Sequence, residues 1–361
     1  MLKYASLYYF MRVYAKIMTT ENQEKTIENQ HFLLKPLYIN GLKIDNRLIL
    51  APMAGWVTDN PFRRLCRNFG AGHAISEMII ADTALYARKK SLHRADFKGE
   101  IAPISAQIAG ANVDKLVAAA RFQVENGAQM VDINMGCPAK KVCKKLSGSA
   151  LLADLPLVEK LLNEVVKAID VPVTLKTHLG YENGKENILT VAKIAENAGI
   201  SAITIHGRTR EDMYHGSARY ELITEVKKLI NIPVIVNGDI DSAEKAVNVQ
   251  QITGADAVMI GRAAQGKPWI FREIHHYLQT GKLPKKPTIN ELKEVVLTHL
   301  DELYRFYGEY SGCRIARKHI AWYTGSLPNS AAFREAMYHK ETTKEQFMVV
   351  EQFFNTVSIN E

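Results

Sequence analysis

Short apolar runs rich in β-branched residues alternate with segments of helical period from about residue 42 to residue 280. The alternation predicts strands over Leu48–Pro52, Ala74–Glu77, Ile104–Ile108, Met130–Asn134, Val173–Lys176, Ala202–His206, Val234–Asn237 and Ala257–Ile260. Each is followed by an amphipathic stretch. Val113, Leu116, Val117 and Ala120 recur at spacings of three and four before Gly127, and the segment from Glu186 to Ala198 stops at Gly199, a residue type suited to the position after a helix. Eight strands, each with its helix, predict an α/β fold with a parallel sheet closed into a (β/α)8 TIM barrel, for which roughly 250 residues is the usual length. The competing arrangement, an open doubly wound sheet, wants a G-x-G-x-x-G turn after its first strand. Ala51-Pro52-Met53-Ala54-Gly55 is no such turn.

Strand signals stop at the turn-rich stretch Gly281-Lys282-Leu283-Pro284-Lys285-Lys286-Pro287. Beyond it, helices are expected near Ile289–Tyr307, Arg314–Thr324, Ala331–Met337 and Thr343–Asn355. The expected organisation is an N-terminal extension at 1–32, a barrel at 33–282 and a small helical bundle domain at 283–361. The extension begins with an aromatic stretch, Met1 to Ile17, broken by Lys3, Arg12 and Lys16, which makes a poor secretory signal. A short amphipathic surface helix is one reading of it. An upstream extension, with translation starting at Met18 and a disordered lead-in over Thr19 to Asn29, is the favoured one.

Composition narrows the class. Apolar residues make up 47% of the chain, enough for a sizeable core. The net charge of +8 hints at a polyanionic partner without establishing one. Four cysteines, Cys66, Cys137, Cys143 and Cys313, form no C-x-x-C pair, and a chain of this size needs no disulfide staples, so a reducing cytoplasm is expected. No apolar run approaches the length that spans a bilayer.

In a barrel of this kind the working groups sit at the C-terminal ends of the strands. Those ends carry Pro52, Met53 and Ala54, then Glu77, Gln107, Asn134 with Cys137, Lys176, His206, the turn Asn237-Gly238-Asp239, and Gly261 with Arg262. The last two turns suit a phosphate cradle, because glycine lets backbone N–H groups approach an anion and arginine adds a forked donor. Lys176 on the barrel interior needs an electronegative partner. A Schiff base and the N1–C2 edge of a flavin both answer that need, and the donor-and-acceptor amide of Gln107 tips the balance to the flavin. Cys137, between Gly136 and Pro138, is a plausible proton donor near neutral pH. Lys140, Lys141 and Lys144 beside it suit phosphate contacts, although lysine runs are commonly just solvated, and Arg88, Lys89, Lys90 and Arg94 form a second cluster. No spacing suits a metal site.

Together these residues resemble the tRNA-dihydrouridine synthases, in particular the bacterial B type, from about residue 33 onward. The matching stretches are APMAGWVTDNPFRRL at 51–65, QIAG at 107–110, DINMGCPAKKV at 132–142, SGSALL at 147–152, TIHGRTR at 204–210, NGDI at 237–240, GADAVMIGRAAQGKPWIFREI at 254–274 and RIARKHIAWY at 314–323. A cytoplasmic monomer without membrane or protein partner is expected; the resemblance implies bound FMN, NADPH as reductant and tRNA as substrate. It implies that Pro52, Met53 and Ala54 line the flavin, that Gln107 and Lys176 bond its ring, and that His206, Asn237, Gly238, Asp239, Gly261 and Arg262 hold its ribityl phosphate. It makes Cys137 the general acid: hydride reaches C6 of a flipped-out D-loop uracil from flavin N5, and the Cys137 proton reaches C5.

Arg208 and Arg210 are expected to meet NADPH or RNA phosphates. In the helical segment, Arg314, Arg317 and Lys318 share one helix face and Ile315 and Trp322 another, which suits an RNA-facing helix. From Leu283 onward ten Lys and Arg balance ten Asp and Glu, so any attraction there is local. Two departures stand out: His178 replaces the family's usual arginine, and Cys143 its common asparagine. A flavin barrel acting on a free pyrimidine, like a dihydroorotate dehydrogenase, is the alternative. A flavin-free enzyme using Lys176 and a non-catalytic RNA-binding protein are the more distant ones.

Overall fold

The computed structural model describes residues 31–82, 89–143, 147–213 and 215–359. The expectation for the N-terminal extension falls almost wholly outside them.

The first element is a hairpin that the strand pattern above does not include. β1 (Leu37–Ile39) and β2 (Leu42–Ile44) pair antiparallel across Asn40-Gly41, both with positive φ, as a two-residue hairpin turn demands. Their apolar residues Leu37, Ile39 and Ile44 pack with Ile49, Ile75, Met130, Ala202, Ile235, Ala257 and Met259 from the strand interiors, and so plug one end of the barrel.

The staves are β3 (Leu48–Leu50), β4 (His73–Ala74), β5 (Ile79–Ile80), β6 (Ser105–Ala109), β7 (Met130–Met135), β8 (Val173–His178), β9 (Ala202–His206), β10 (Val234–Asn237) and β11 (Ala257–Ile260). All are parallel, in the order β4-β3-β11-β10-β9-β8-β7-β6-β5. The expected second strand, Ala74–Glu77, is split into β4 and β5. Ile75 bridges the gap: its N–H donates to Leu50 at 3.4 Å, it pairs with Ser105, and the Ser76 N–H donates to Ser105 at 3.0 Å. That seam joins the two ends of the sheet and closes the ring.

Alternation along each stave sorts core from site. Val131, Ile133 and Met135 on β7, Val173 and Leu175 on β8, and Ile203 and Ile205 on β9 join the large apolar cluster under the helices. Their neighbours Asp132, Asn134, Thr174, Lys176, Thr204 and His206 take the other face. Register then sets these side by side: Gln107 against Asp132, Asp132 against Thr174, Asn134 against Lys176, and His206 against Asn237.

Among the described residues, four of the helices that cover the staves start on side-chain caps, from Asp59, Asn112, Asp154 and Ser242. In α1 (Asn60–Asn68), Asp59 accepts from the Phe62 N–H; α2 (Lys89–Arg94) and α3 (Val113–Glu125) follow, the latter capped by Asn112. Next come α4 (Lys140–Cys143), α5 (Leu155–Ala168), α6 (Ile188–Asn197), α7 (Glu221–Leu229), α8 (Ala243–Thr253) and α9 (Ile270–Thr280).

Helices alone follow: α10 (Ile289–Thr324), α11 (Ser330–Tyr338) and α12 (Thr343–Ile359). A capping box of Thr288 and Glu291 opens α10. The expected gap before Arg314 narrows to one residue, Gly308, whose φ of 77° and ψ of 178° break the helix. At buried Gly312 a Cβ would lie 3.0 Å from Tyr304 Cα, so the two halves of α10 meet closely there. The element packs on α1, with Phe62 centred 5.6 Å from His299 and 5.7 Å from His319. Among the described residues no helix is long and apolar enough to cross a membrane.

Candidate active site

The floor of the barrel opening is a chain of hydrogen bonds across neighbouring staves. Fully buried Asp132 accepts from Thr174 Oγ1 at 2.6 Å and from Gln107 Nε2 at 2.7 Å. Gln107 Oε1 accepts from Asn134 Nδ2 at 2.9 Å, and Asn134 Oδ1 accepts from the Cys137 N–H at 2.9 Å and the Gly136 N–H at 3.2 Å. Burial raises the Asp132 carboxyl above its usual range, while its two donors and the Lys176 charge work the other way. Neither Asp132 nor Asn134 had been assigned a role from the sequence. Both lie within the DINMGCP run, and their alternate positions on a buried stave are the signal that could have marked them.

Cys137 sits just past β7, where Ser149 Oγ donates to its carbonyl at 3.0 Å and Cys143 Sγ does so at 3.5 Å. A Cβ on Gly148 would lie 2.7 Å from that carbonyl, so the chain needs glycine there. Cys143 thus steadies the Cys137 backbone. Burial pushes the Cys137 thiol up, an effect that Lys176 and the Ala139 backbone oppose. The group remains a protonated thiol at neutral pH.

Lys176 does not end its strand, since β8 continues through Thr177 to His178. Its ammonium is buried and donates to Asn237 Oδ1 at 3.2 Å. Burial brings it down to about 8, against the pull of Asp132 and Cys137. His206 Nδ1 lies 3.0 Å from the same Asn237 oxygen, and His206 Nε2 is buried with no partner among the described residues. His178 packs against His206 at 4.8 Å between ring centres, and burial with the Lys176 charge lowers it to about 4. Both imidazoles are neutral, leaving Lys176 as the cation facing this pocket from β8. Gly136 admits the His178 ring, because a Cβ would come within 2.9 Å of it.

Asn237, Gly238, Asp239, Gly261 and Arg262 lie at the ends of β10 and β11. Gly238 has a φ of 127°, and a Cβ there would meet Ala218 at 2.8 Å. The Asp239 carboxylate faces protein: it accepts from Arg208 Nη1 at 3.0 Å and Nη2 at 2.6 Å, from the Ala218 N–H at 2.8 Å and from Arg262 at 3.2 Å. Arg208 is therefore not the surface cation expected from the sequence. It is 2% exposed, and its remaining donors go to the His215 and Gly216 carbonyls. Arg210 lies half-buried over the Tyr181 ring.

Beside β11, β3 gives way to Pro52, Met53 and Ala54. Met53 Sδ lies 3.7 Å from where a Gly261 Cβ would stand, so the first and last staves meet here. Glu77 is buried and taken up by protein donors. It accepts from the Val57 N–H at 2.7 Å and from Arg94 at 3.2 Å.

The basic stripe on α10 divides. Arg314 is exposed and stacks on the Tyr310 ring, 3.7 Å from its centre. Arg317 donates to the Lys340 carbonyl at 3.0 Å, and Lys318 turns inward to donate to the Gly55 carbonyl. The side chains of Lys140 and Lys141 and the whole of Lys144 and Arg88 lie outside the described residues, as do the side chains of Lys89 and Lys90.

Comparison with known proteins agrees with this arrangement. The family model described as Dihydrouridine synthase (Dus) matches residues 49–358. A protein of Pseudomonas aeruginosa named tRNA-dihydrouridine synthase B is 55% identical over 86% of this chain and 93% of its own. One of Vibrio cholerae with the same name is 51% identical over 89% of this chain and 99% of its own. Among solved structures, the old yellow enzyme homologue from Zymomonas mobilis shares the fold, with a TM-score of 0.50 at 14% identity over 72% of this chain and 95% of that one. This chain belongs to the dihydrouridine synthase family.

Proposed function

We propose that this protein is a tRNA-dihydrouridine synthase, which reduces the C5–C6 double bond of uridine in tRNA with bound FMN and with NADPH as reductant. The observation that carries the reading is the barrel opening that sets Cys137, just past β7, beside the neighbouring stave β8, whose buried Lys176 ammonium donates to Asn237.

The residues present fit FMN. A buried ammonium held by one asparagine oxygen, and a buried His206 Nε2 without a partner, both suit an electronegative ligand in the opening. The positive φ of Gly238 turns the chain just past β10, with Ala218 packed where a side chain would stand. Lys176 and Gln107 would hold the flavin ring edge, Pro52, Met53 and Ala54 would line it, and His206, Asn237, Gly238, Gly261 and Arg262 would hold the ribityl phosphate. Asp239 supports them from behind through Arg262 and Arg208. When bound, FMN supplies hydride chemistry between a nicotinamide and a carbon centre.

Cys137 holds a proton on Sγ and delivers it to C5 of the uracil as C6 is reduced, which balances the addition of hydride and proton across the double bond. Asn134 fixes the backbone that carries this thiol. Lys176 supplies positive charge where a reduced flavin ring is negative. The target base must leave its stack to enter the opening. Arg314 stays at the surface for RNA phosphates.

The test is to measure flavin in the purified protein and dihydrouridine in unmodified tRNA after incubation with NADPH. Dihydrouridine in tRNA but not in free uridine or other free pyrimidines is expected. Reduction of free pyrimidine alone would favour the alternative, and an absence of flavin would sink both.

A further inference from the structure

Among the contacts of the helical segment, two reach the flavin-facing side of the barrel. The turn after β3 is clasped at its base by Met53 and Thr58: the Met53 N–H donates to Thr58 Oγ1 at 2.8 Å, and the Thr58 N–H donates back to the Met53 carbonyl at 3.3 Å. At its tip, Gly55 and Trp56 both stand in the left-handed region, at φ of 94° and 64°. Such a backbone is costly for tryptophan and persists only where the surroundings hold it. The tip carbonyls point to α10. Lys318 Nζ donates to the Gly55 oxygen, and His319 Nε2 lies 3.1 Å from the Trp56 oxygen. The Trp56 ring is held between Tyr307, edge-on at 5.4 Å, and the Arg94 guanidinium at 5.1 Å. A second contact ties α10 to the neighbouring stave: a Cβ on Gly266, just past β11, would lie 2.6 Å from the Trp322 backbone.

We propose that Lys318 and His319 are positioning residues for the reaction, capping the Gly55 and Trp56 carbonyls so that Met53 and Ala54 keep the shape that the flavin packs against. The helical segment thereby helps to build the barrel opening in addition to any part it has in holding tRNA. The proposal rests on the reading of this site as a flavin site. Three observations separate it from a role as a phosphate contact. Lys318 is half-buried with its ammonium committed to the Gly55 carbonyl, His319 is fully buried, and consecutive residues of one helix take consecutive carbonyls of one strained turn. Removing either donor leaves a tip carbonyl without its partner and frees the turn to relax.

The test compares the holoprotein with Lys318→Met, Lys318→Arg and His319→Gln. FMN affinity is read by fluorescence titration, the bound-flavin visible spectrum and flavin reduction by NADPH are read without tRNA, and circular dichroism confirms folding. In Lys318→Met, on the order of tenfold weaker FMN binding with an altered flavin spectrum is expected. Lys318→Arg keeps a donor and should recover most of the affinity, while His319→Gln should fall between. The proposal is overturned if FMN affinity, spectrum and NADPH reduction are those of the parent and only the KM for tRNA rises. Should Lys318→Met not fold, the His319→Gln comparison decides by the same readouts. A parent protein that binds no flavin would instead refute the underlying reading.

Discussion

Gln107 Nε2 donates to the Asp132 carboxylate at 2.7 Å, from one stave to the next beneath the barrel opening. With that N–H committed, the other end of the amide accepts from Asn134, and Asn134 in turn accepts from the Cys137 backbone. One buried carboxylate thus orients the Gln107 amide and the loop that carries the thiol. Asp132→Asn keeps the shape but adds a donor where Thr174 and Gln107 already donate. It should destabilise the fold by about 1–3 kcal/mol in urea unfolding and weaken flavin binding, because buried donors are left facing one another.

Cys137→Ala should leave flavin reduction by NADPH intact and lower dihydrouridine formation by about a hundredfold or more, the usual range for loss of a general acid. The working form is the protonated thiol. Since burial raises this thiol, activity should hold through neutral pH and decline only as pH passes above the ordinary cysteine range. Single-turnover reduction of tRNA across alkaline pH checks the sign. A rate that climbs through that range would contradict it.

Lys176 stands for a trade of stability against function. Its folded value of about 8 lies below that of an unfolded lysine. Between about 8 and about 10 the unfolded chain holds more protons than the native one, so this group makes stability increase with pH across that window. Lys176→Met should remove that slope and raise the stability of the flavin-free protein at neutral pH, by on the order of 2 kcal/mol. The same change should weaken FMN binding at least tenfold. Unfolding at pH 7 and pH 10, paired with a flavin titration, measures both effects.

Arg208→Lys tests whether this residue meets RNA or the barrel. Lysine cannot reproduce the two-pronged contact with Asp239 or the bonds to His215 and Gly216. A loss of about 2–4 kcal/mol in stability is expected, with weaker flavin binding. A stable variant whose defect is confined to the KM for tRNA would assign the residue to RNA.

The staves and the mouth were legible because alternation in a buried strand leaves a mark: polar Asp132, Asn134, Thr174, Lys176 and His206 interrupt runs that would otherwise be apolar. The split second strand was not legible, because Ile75 sustains the ring through a single bridge and its composition matches a continuous strand. The β1–β2 hairpin carried a readable sign, the Asn40-Gly41 turn, but its strands are too short to show a period. Arg208 and Lys318 were placed at the surface because charge was the visible property. Their partners, Asp239 and the Gly55 carbonyl, lie far along the chain, and no local pattern announces a pairing made only by the closed fold.

The hairpin stopper at the base of the barrel bears on the order of events. With Leu37, Ile39 and Ile44 sealing one end of the barrel, a nicotinamide and a nucleoside would both have to arrive from the other. On the proposed reading, two visitors that need the same spot would take turns, and the electrons of the first would be stored until the second is seated.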